Sequence, residues 1–444
     1  MSKIILYRIF VISIIFLVSI SFLTVLDVKS QTESLWVPNM YPTIQAAINA
    51  ANNGDKIYIR GGNYDGPQNQ TLIINKKISL IGETAQTTIL TLHPNYEVKA
   101  FRTGPYVYLY DDAMNIYAND FSVSGITIYT DRVQETPDIV VGGGKIINIY
   151  GDRSTINHNK IEILEIHEGS NHNITQNTIR HLRFGGTYSS ISKNTLNSLS
   201  LHNLAFSNEI SKNNLSEGSG IQVRGSENIV VNNIVTNCSE GVGVFGDSDY
   251  GQRNIFYQNR IMDNNEGLVV ESRGGNNIFY GNTVTNNSFG VVVRNEFPPG
   301  ESLFYYNNFI DNTIQVNTEP TIKKYDDLNV TAYHTGLFDN DTYGNYWSDY
   351  SGVDANDDGI GDSPYIIDDN IEDHFPLISP ITLTFAMPSI PTPNPTPTPE
   401  LDQSEFPTTI IIASVSILSI IGFGILAYYK KYKRRDDSNK TTTN

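Results

Sequence analysis

Three groups of side chains have types and spacings that could do chemistry. The first is Asp354-Ala355-Asn356-Asp357-Asp358-Gly359-Ile360-Gly361-Asp362. Oxygen-bearing side chains at alternate positions, with Gly at the sixth, match the first part of a calcium loop, where alternation aims carboxylates at one centre and Gly permits the sharp turn. The expected ligands are Asp354, Asn356, Asp358 and Asp362, with the Ile360 carbonyl. The twelfth position is Tyr365, so Asp368 or Asp369 would have to supply the bidentate acid. An acidic turn packed on the end of a domain has the same composition.

The second group comes from a repeated motif. Gly220-Ile221-Gln222-Val223, Gly241-Val242-Gly243-Val244, Gly267-Leu268-Val269-Val270 and Gly290-Val291-Val292-Val293 share a frame. Counted from each Gly, Arg224, Glu271 and Arg294 fall at one offset and Asp247, Arg273 and Glu296 at another. These six would gather on one outer edge as a candidate groove. Carboxylates there could act as acid or base. The alternative is an ion-pair ladder, Asp247–Arg273–Glu296, which is worth little at a surface. The third group is histidine: His167 and His202 lie at equal offsets from an Asn in their own repeats, with Gly185 at that offset in the repeat between them.

The elements that must position these residues are repeats. Asn-x-apolar recurs at Asn159, Asn177, Asn194, Asn213, Asn232, Asn259, Asn282 and Asn307, at intervals of 17 to 27 residues. A second apolar position precedes each Asn from the second repeat on: Ile174, Ile191, Ile210, Ile229, Ile255, Ile278 and Leu303. Short β-branched strands joined by tight turns at this period make each repeat one coil of a parallel β-helix, stacked ~4.8 Å on the last. The inward ladder would be Ile161, Ile179, Leu196, Leu215, Ile234, Ile261, Val284 and Phe309, with the Asn before each at a bend that tolerates left-handed φ. The same frame stacks Glu162 on Arg180 and Glu165 on Arg183, as surface pairs. Thr43 to Ala51 places Ile44, Ala47, Ile48 and Ala51 on one helical face, the cap an open solenoid end needs.

The two ends set the expected topology. Lys3 and Arg8 precede an apolar run to Leu26, which reads as a secretory signal or an uncleaved anchor. Ile410 to Tyr429 is uncharged and is followed by Lys430, Lys431, Lys433, Arg434 and Arg435. About 20 apolar residues cross a bilayer core, and the basic tail belongs on the cytoplasmic side. The Pro/Thr stretch before it should be an extended stalk. The 444 residues carry 30 Lys+Arg against 47 Asp+Glu, a net charge of −17. That balance excludes the basic footprint of a nucleic-acid binder. One Cys excludes an intramolecular disulfide or a Cys-based zinc site.

Pro42-Thr43-Ile44-Gln45-Ala46-Ala47-Ile48, Gly54-Asp55-Lys56-Ile57-Tyr58-Ile59, Gly61-Gly62-Asn63-Tyr64 and Ile78-Ser79-Leu80-Ile81-Gly82 resemble the opening of right-handed β-helix proteins of the pectate-lyase-like class. The Asn-x-Ile coils, Gly344-Asn345-Tyr346-Trp347-Ser348-Asp349-Tyr350, Asp358-Gly359-Ile360-Gly361-Asp362 and His374-Phe375-Pro376-Leu377 resemble archaeal surface proteins with a NosD-type (periplasmic copper-binding) β-helix. Glu405-Phe406-Pro407 resembles an archaeal C-terminal sorting signal, with Ser404 departing from it. The Asn-Thr-Asp and Gly-His-Gly strings of this fold's polygalacturonases do not occur. The copper that the NosD resemblance implies is not supported by the histidines. His167 and His202 sit two coils, ~10 Å, apart, too far for a shared ion at ~2 Å. The five Met form no cluster.

The expected fold class is therefore all-β: a right-handed parallel β-helix (solenoid) with a short N-terminal capping helix and a C-terminal transmembrane helix. Its divisions are 1–30 signal peptide, 31–110 cap and first coils, 111–320 repeats, 321–380 C-terminal cap with the acidic loop, 381–408 stalk, 409–429 membrane helix and 430–444 cytoplasmic tail. Sequons at Asn69, Asn173, Asn214, Asn237, Asn286, Asn329 and Asn340 could accept glycan outside the cell. The expected protein is a membrane-anchored extracellular scaffold that binds carbohydrate or envelope proteins, with calcium at the acidic loop. The rival readings are a polysaccharide lyase or glycoside hydrolase, and a copper-handling accessory protein.

Overall fold

The Asn-centred repeats wind into a solenoid in which each coil contributes short strands to parallel sheets. A computed structural model describes residues 34–382 apart from 95–100, 104–105, 109–111, 131–138, 141–146, 247–249, 273–274, 295–301, 319–320, 326–327 and 333–335. One sheet stacks 13 strands in coil order, from Ser34–Val37 to Gly336–Leu337. A 19-stranded assembly bends into two further faces. The strand Lys160–Ile166 shows the bend: its start pairs with Thr127 and Ile128, while its end pairs with Ile147–Ile149. The cross-section thus has three faces around one apolar interior.

The core is a set of ladders. Ile161, Ile179, Leu196, Leu215, Val235, Ile261, Val284, Phe309 and Trp347 pair residue on residue, each no more than 2% exposed. The expected Ile234 is not in this ladder; it is 40% exposed and Val235 replaces it. Asn232-Asn233-Ile234-Val235 offers two Asn-x-apolar frames, and with a side-chain period of two a slip of one residue reverses the faces. The same slip affects Ile229, Ile255, Ile278 and Leu303, whose neighbours Val230, Phe256, Phe279 and Phe304 point inward instead. Phe256, Phe279, Phe304 and Phe338 then stack at 4.4, 4.6 and 5.0 Å between centroids.

The bends are held by asparagine. From Asn159 through Asn177, Asn194, Asn213, Asn233, Asn259, Asn282 and Asn307 to Asn345, each Nδ2 donates to the next Oδ1 at 2.9–3.2 Å. A second Nδ2 bond reaches a carbonyl of the preceding coil, as from Asn177 to Ile156 at 2.8 Å. The left-handed residue is not this Asn but the one before it, among them Gln176, Lys193, Lys212 and Asn232, with φ of 55–56°. Two further ladders run along other corners: Asn208–Asn228–Asn254–Asn277, and Asn264–Asn287–Asn312 ending on Gln315. A buried amide satisfied at every rung avoids the penalty of about 1–3 kcal/mol that an orphaned polar group carries.

Both ends of the core are closed. The helix Ile44–Ala50 is capped by Thr43, whose Oγ1 accepts the Ala46 N–H at 3.1 Å, and it buries Ile44, Ala47 and Ile48. At the other end Asp373, fully buried, accepts from the Asn345 N–H at 2.7 Å, the Trp347 indole at 2.9 Å and the Phe375 N–H at 3.0 Å. Gly344 is required beside it: a Cβ there would fall 1.7 Å from Asp373 Oδ1. The apolar runs at the two chain ends, and the stalk, lie outside the described residues. Among those described, no helix is long and apolar enough to cross a membrane.

Candidate functional site

On the third face the strands alternate inward and outward, and the outward positions form two columns. The first holds Asn115, Asn148, Glu165, Arg183, Ser200 and Gln222 on successive coils. The second, one residue past the last inward side chain, holds Tyr117, Tyr150, His167, Gly185, His202, Arg224, Phe245, Glu271 and Arg294. Parallel register alone places these residues together, because equivalent positions repeat at the coil spacing.

The upper part of the second column is an aromatic stack. Tyr117 and Tyr150 lie 5.0 Å apart at 13°, and Tyr150 and His167 lie 4.5 Å apart at 4°. His167 is fixed by the first column: its Nε2 lies 3.1 Å from Asn148 Oδ1, and its Nδ1 3.5 Å from Glu165 Oε1. Asn148 in turn donates to Asn115 at 2.9 Å. Arg183 Nη1 approaches Glu165 from the next coil at 3.5 Å. Glu165 is buried although it lies on an outward position. Burial pushes the Tyr150 hydroxyl up and holds the His202 and His181 imidazoles below the usual histidine range.

Of the candidate groove, Arg224, Glu271 and Arg294 stand in this column. Arg224 lies over the Phe245 ring at 5.3 Å, and Arg294 reaches Glu271 at 3.8 Å and bonds Glu266. Asp247, Arg273 and Glu296 lie outside the described residues. The stacked pairs fall on adjacent coils on the same side, Arg180–Glu162 at 3.2 Å and Arg183–Glu165 at 3.5 Å. In the sequence His167 and His202 stand out for their spacing, which argues against a shared metal ion, while the aromatic stack of Tyr117, Tyr150 and His167 carries no such mark. The signal available for the two histidines was their equal offset with Gly185 between them.

The acidic loop turns sharply at Gly359, with φ of 86°. Asp354 accepts the N–H groups of Asp358 at 3.1 Å and Gly359 at 2.8 Å; Asp358 accepts that of Ile360 at 2.9 Å and Asp362 that of Ala355 at 2.8 Å. Asn356 donates to Asp358 at 2.9 Å. Tyr365, at the twelfth position, stacks on Trp347 at 4.4 Å. Asp368 bonds Thr318 at 2.6 Å and the Asn370 N–H at 2.8 Å. Among the described residues no three or more His, Cys, Asp or Glu side chains are grouped to hold a metal ion.

The sequons at Asn69, Asn173, Asn214, Asn237 and Asn286 are exposed. Asn340 is half-buried, its amide oxygen accepting from Thr342 at 3.2 Å and Tyr343 at 2.8 Å. The Asn329 side chain lies outside the described residues. A concavity of about 920 Å³ opens at the bend where Gly82 and Gly125 align with His158, the residue before the first ladder asparagine; Glu83, Tyr129, His158 and Lys160 line it.

Stacked parallel coils around an apolar interior make this protein a right-handed parallel β-helix. Residues 118–352 match the family model of the periplasmic copper-binding protein (NosD), and the chain belongs to that family. No curated protein sequence matches it. Among solved structures it is similar to the Dettilon tailspike protein, at 16% identity and a TM-score of 0.47, covering 63% of this chain and 61% of that one. It is also similar to the A-module of the Azotobacter vinelandii mannuronan C-5 epimerase AlgE6, at 13% identity and 0.43, covering 62% and 92%. The catalytic domain of a GH87 alpha-1,3-glucanase in complex with tetrasaccharides follows at 14% and 0.43, covering 71% and 69%. This chain spans about three fifths of the tailspike chain.

The family's name raises copper, and His167 and His202 offer that ion no shared site. His167 lies flat on Tyr150 with its Nε2 on Asn148, while His202 stands beyond Gly185. Met40 is exposed, Met114 packs in the core, and Cys238 is buried with its thiol pushed up by burial.

Proposed function

We propose that this protein is a glycan-binding β-helix working outside the cell, with the outward columns of the third face as its binding surface. The observation that supports this reading is the stack Tyr117–Tyr150–His167, which continues into Arg224, Phe245, Glu271 and Arg294. A sugar offers an apolar C–H face and a rim of hydroxyls, and it is met by aromatic rings beside fixed hydrogen-bonding groups. A face running along the solenoid axis suits a chain of sugars better than a single small molecule. The apolar runs at 9–26 and 410–429 fit export and a membrane tether, with the Pro/Thr stretch as a spacer.

Binding of the full chain to a glycan array tests the reading, with Tyr150→Ala as the comparison. The expected result is binding to a subset of polymeric glycans that falls at least about tenfold in the variant, since one lost aromatic contact is worth roughly 1–1.5 kcal/mol or more. Equal binding by both proteins would move the site off this face.

A further inference from the structure

The 13-stranded sheet changes character along its length. Most of its strands are three residues long, with the middle residue inward and the outer two facing out. On the middle coils that outward pair is small and polar, as in Ser122-Val123-Ser124, Asn173-Ile174-Thr175 and Ser190-Ile191-Ser192. From Ile229 on it is apolar. Ile229, Ile255, Ile278, Leu303 and Leu337 stack in one outward column, and Tyr257, Tyr280 and Tyr305 in the other. The tyrosine rings lie nearly parallel, at 5.3 and 5.6 Å between centroids. Leu337 is 46% exposed, and the other four aliphatic residues are half-buried. A contiguous apolar strip on an outer face marks an interaction surface, and tyrosine is enriched in such surfaces.

The size of the strip selects its occupant. Five coils by three residues make ~24 Å by ~10 Å, roughly 240 Å², far short of the ~800 Å² per partner of a standard interface. All thirteen strands make roughly 600 Å² before the corner residues are added. A second copy can cover that whole face with like on like in one way only. A two-fold axis along the solenoid keeps both copies level, so apolar coils meet apolar coils, and it reverses the strand direction. It sets Ile278 against Tyr280 of the second copy. It also sets Glu209 against Lys212. These two exposed residues flank opposite ends of one strand, Glu209–Ser211, so the reversal pairs their charges twice. The end of the chain agrees with this geometry. Ile381 is held by Asn308 at 2.7 Å, beside the last coils, so residues 383–444 of both copies depart from the same end, as the tether proposed above requires.

We propose that this protein pairs with a second copy of itself through the outer face of its 13-stranded sheet, with the two solenoids parallel and side by side. The pairing leaves the third face and its two columns open on both copies.

Sedimentation velocity of the full chain in detergent, over a concentration series, tests the proposal. Wild type should form a dimer. The double variant Ile255→Ser/Ile278→Ser installs the residue type that earlier coils carry in this column. It should weaken association at least about tenfold, since each loss counts twice across a two-fold. Glu209→Lys alone and Lys212→Glu alone should each weaken association about fivefold or more by setting like charges together. The variant carrying both should restore it. The charge variants should keep the circular dichroism of wild type, since exposed charges contribute little to folding, and a folding defect would not be repaired by a second substitution. A wild-type monomer overturns the proposal. A dimer indifferent to all of these variants also overturns it, and moves association to the apolar run at 410–429. A dimer that the serines weaken and the double charge variant fails to restore overturns the parallel arrangement.

Discussion

The indole N–H of Trp347 donates to the carboxylate of Asp373 at 2.9 Å, where both residues are sealed from solvent. Burial pushes the Asp373 carboxyl up to about 6 from 3.8, against the pull of its N–H donors. The folded state therefore holds this proton more tightly than the unfolded chain. The Asp373 contribution is fully present below about pH 4, is lost as pH rises to about 6, and is flat above. A shift of about two units is on the order of 3 kcal/mol. Chemical unfolding of wild type and Asp373→Asn at several pH values checks this. The variant should flatten that window, and parallel profiles would assign the pH dependence to other groups.

Gly344 and Gly359 give opposite tests of the same end cap. Alanine at 344 drives its Cβ into the Asp373 carboxylate and should lower stability by roughly 3 kcal/mol or more, the range of lost buried networks. At 359 a Cβ meets nothing within 4 Å, and only the φ of 86° resists it. Gly359→Ala should cost about 1 kcal/mol. Thermal melts of the two variants separate steric from conformational loss.

Asn232 and Asn233 are adjacent and carry different tasks. Asn233→Ala strips acceptors from the Asn213 N–H and Nδ2 and a donor from the Ile210 carbonyl. It should cost roughly 3 kcal/mol or more, as several buried groups lose partners. Asn232, exposed at φ 55°, should accept Gly with a change below about 1 kcal/mol. Equal losses at the two positions would overturn the assigned rung.

The acidic loop is held by carboxylates that accept its own backbone N–H groups, so Asp354→Ala, which removes two such bonds, should cost about 1–2 kcal/mol. Calcium is the second arm. The oxygen spacing predicts a melt of the full chain that rises with millimolar calcium and falls with chelator, by binding the folded state alone. Equal melts would leave the hydrogen bonds as the whole of what shapes this turn.

The coil period was legible because asparagine marks the bend of each coil from Asn159 on and apolar residues follow it at fixed offset. It failed where Asn232-Asn233 and the run Ile229-Val230-Val231 offered two frames, since burial and not local pattern chooses between them. The column site was half legible. His167, Gly185 and His202 share an offset from their asparagines, but Tyr117 and Tyr150 belong to coils whose bends lack one, so no count aligns them. Asp373 carries no spacing signal: it meets Asn345 across 28 residues of cap.

The asparagine ladder also gives the solenoid a polarity. Within each rung the backbone N–H and the amide donate to an oxygen of the following coil. From Asn159 on, each coil therefore presents two donors at this corner, and the next coil covers them. Asp373 meets the last of these donors with acceptors. The ladder thus closes within the chain and leaves a foreign coil no open rung to join at this corner.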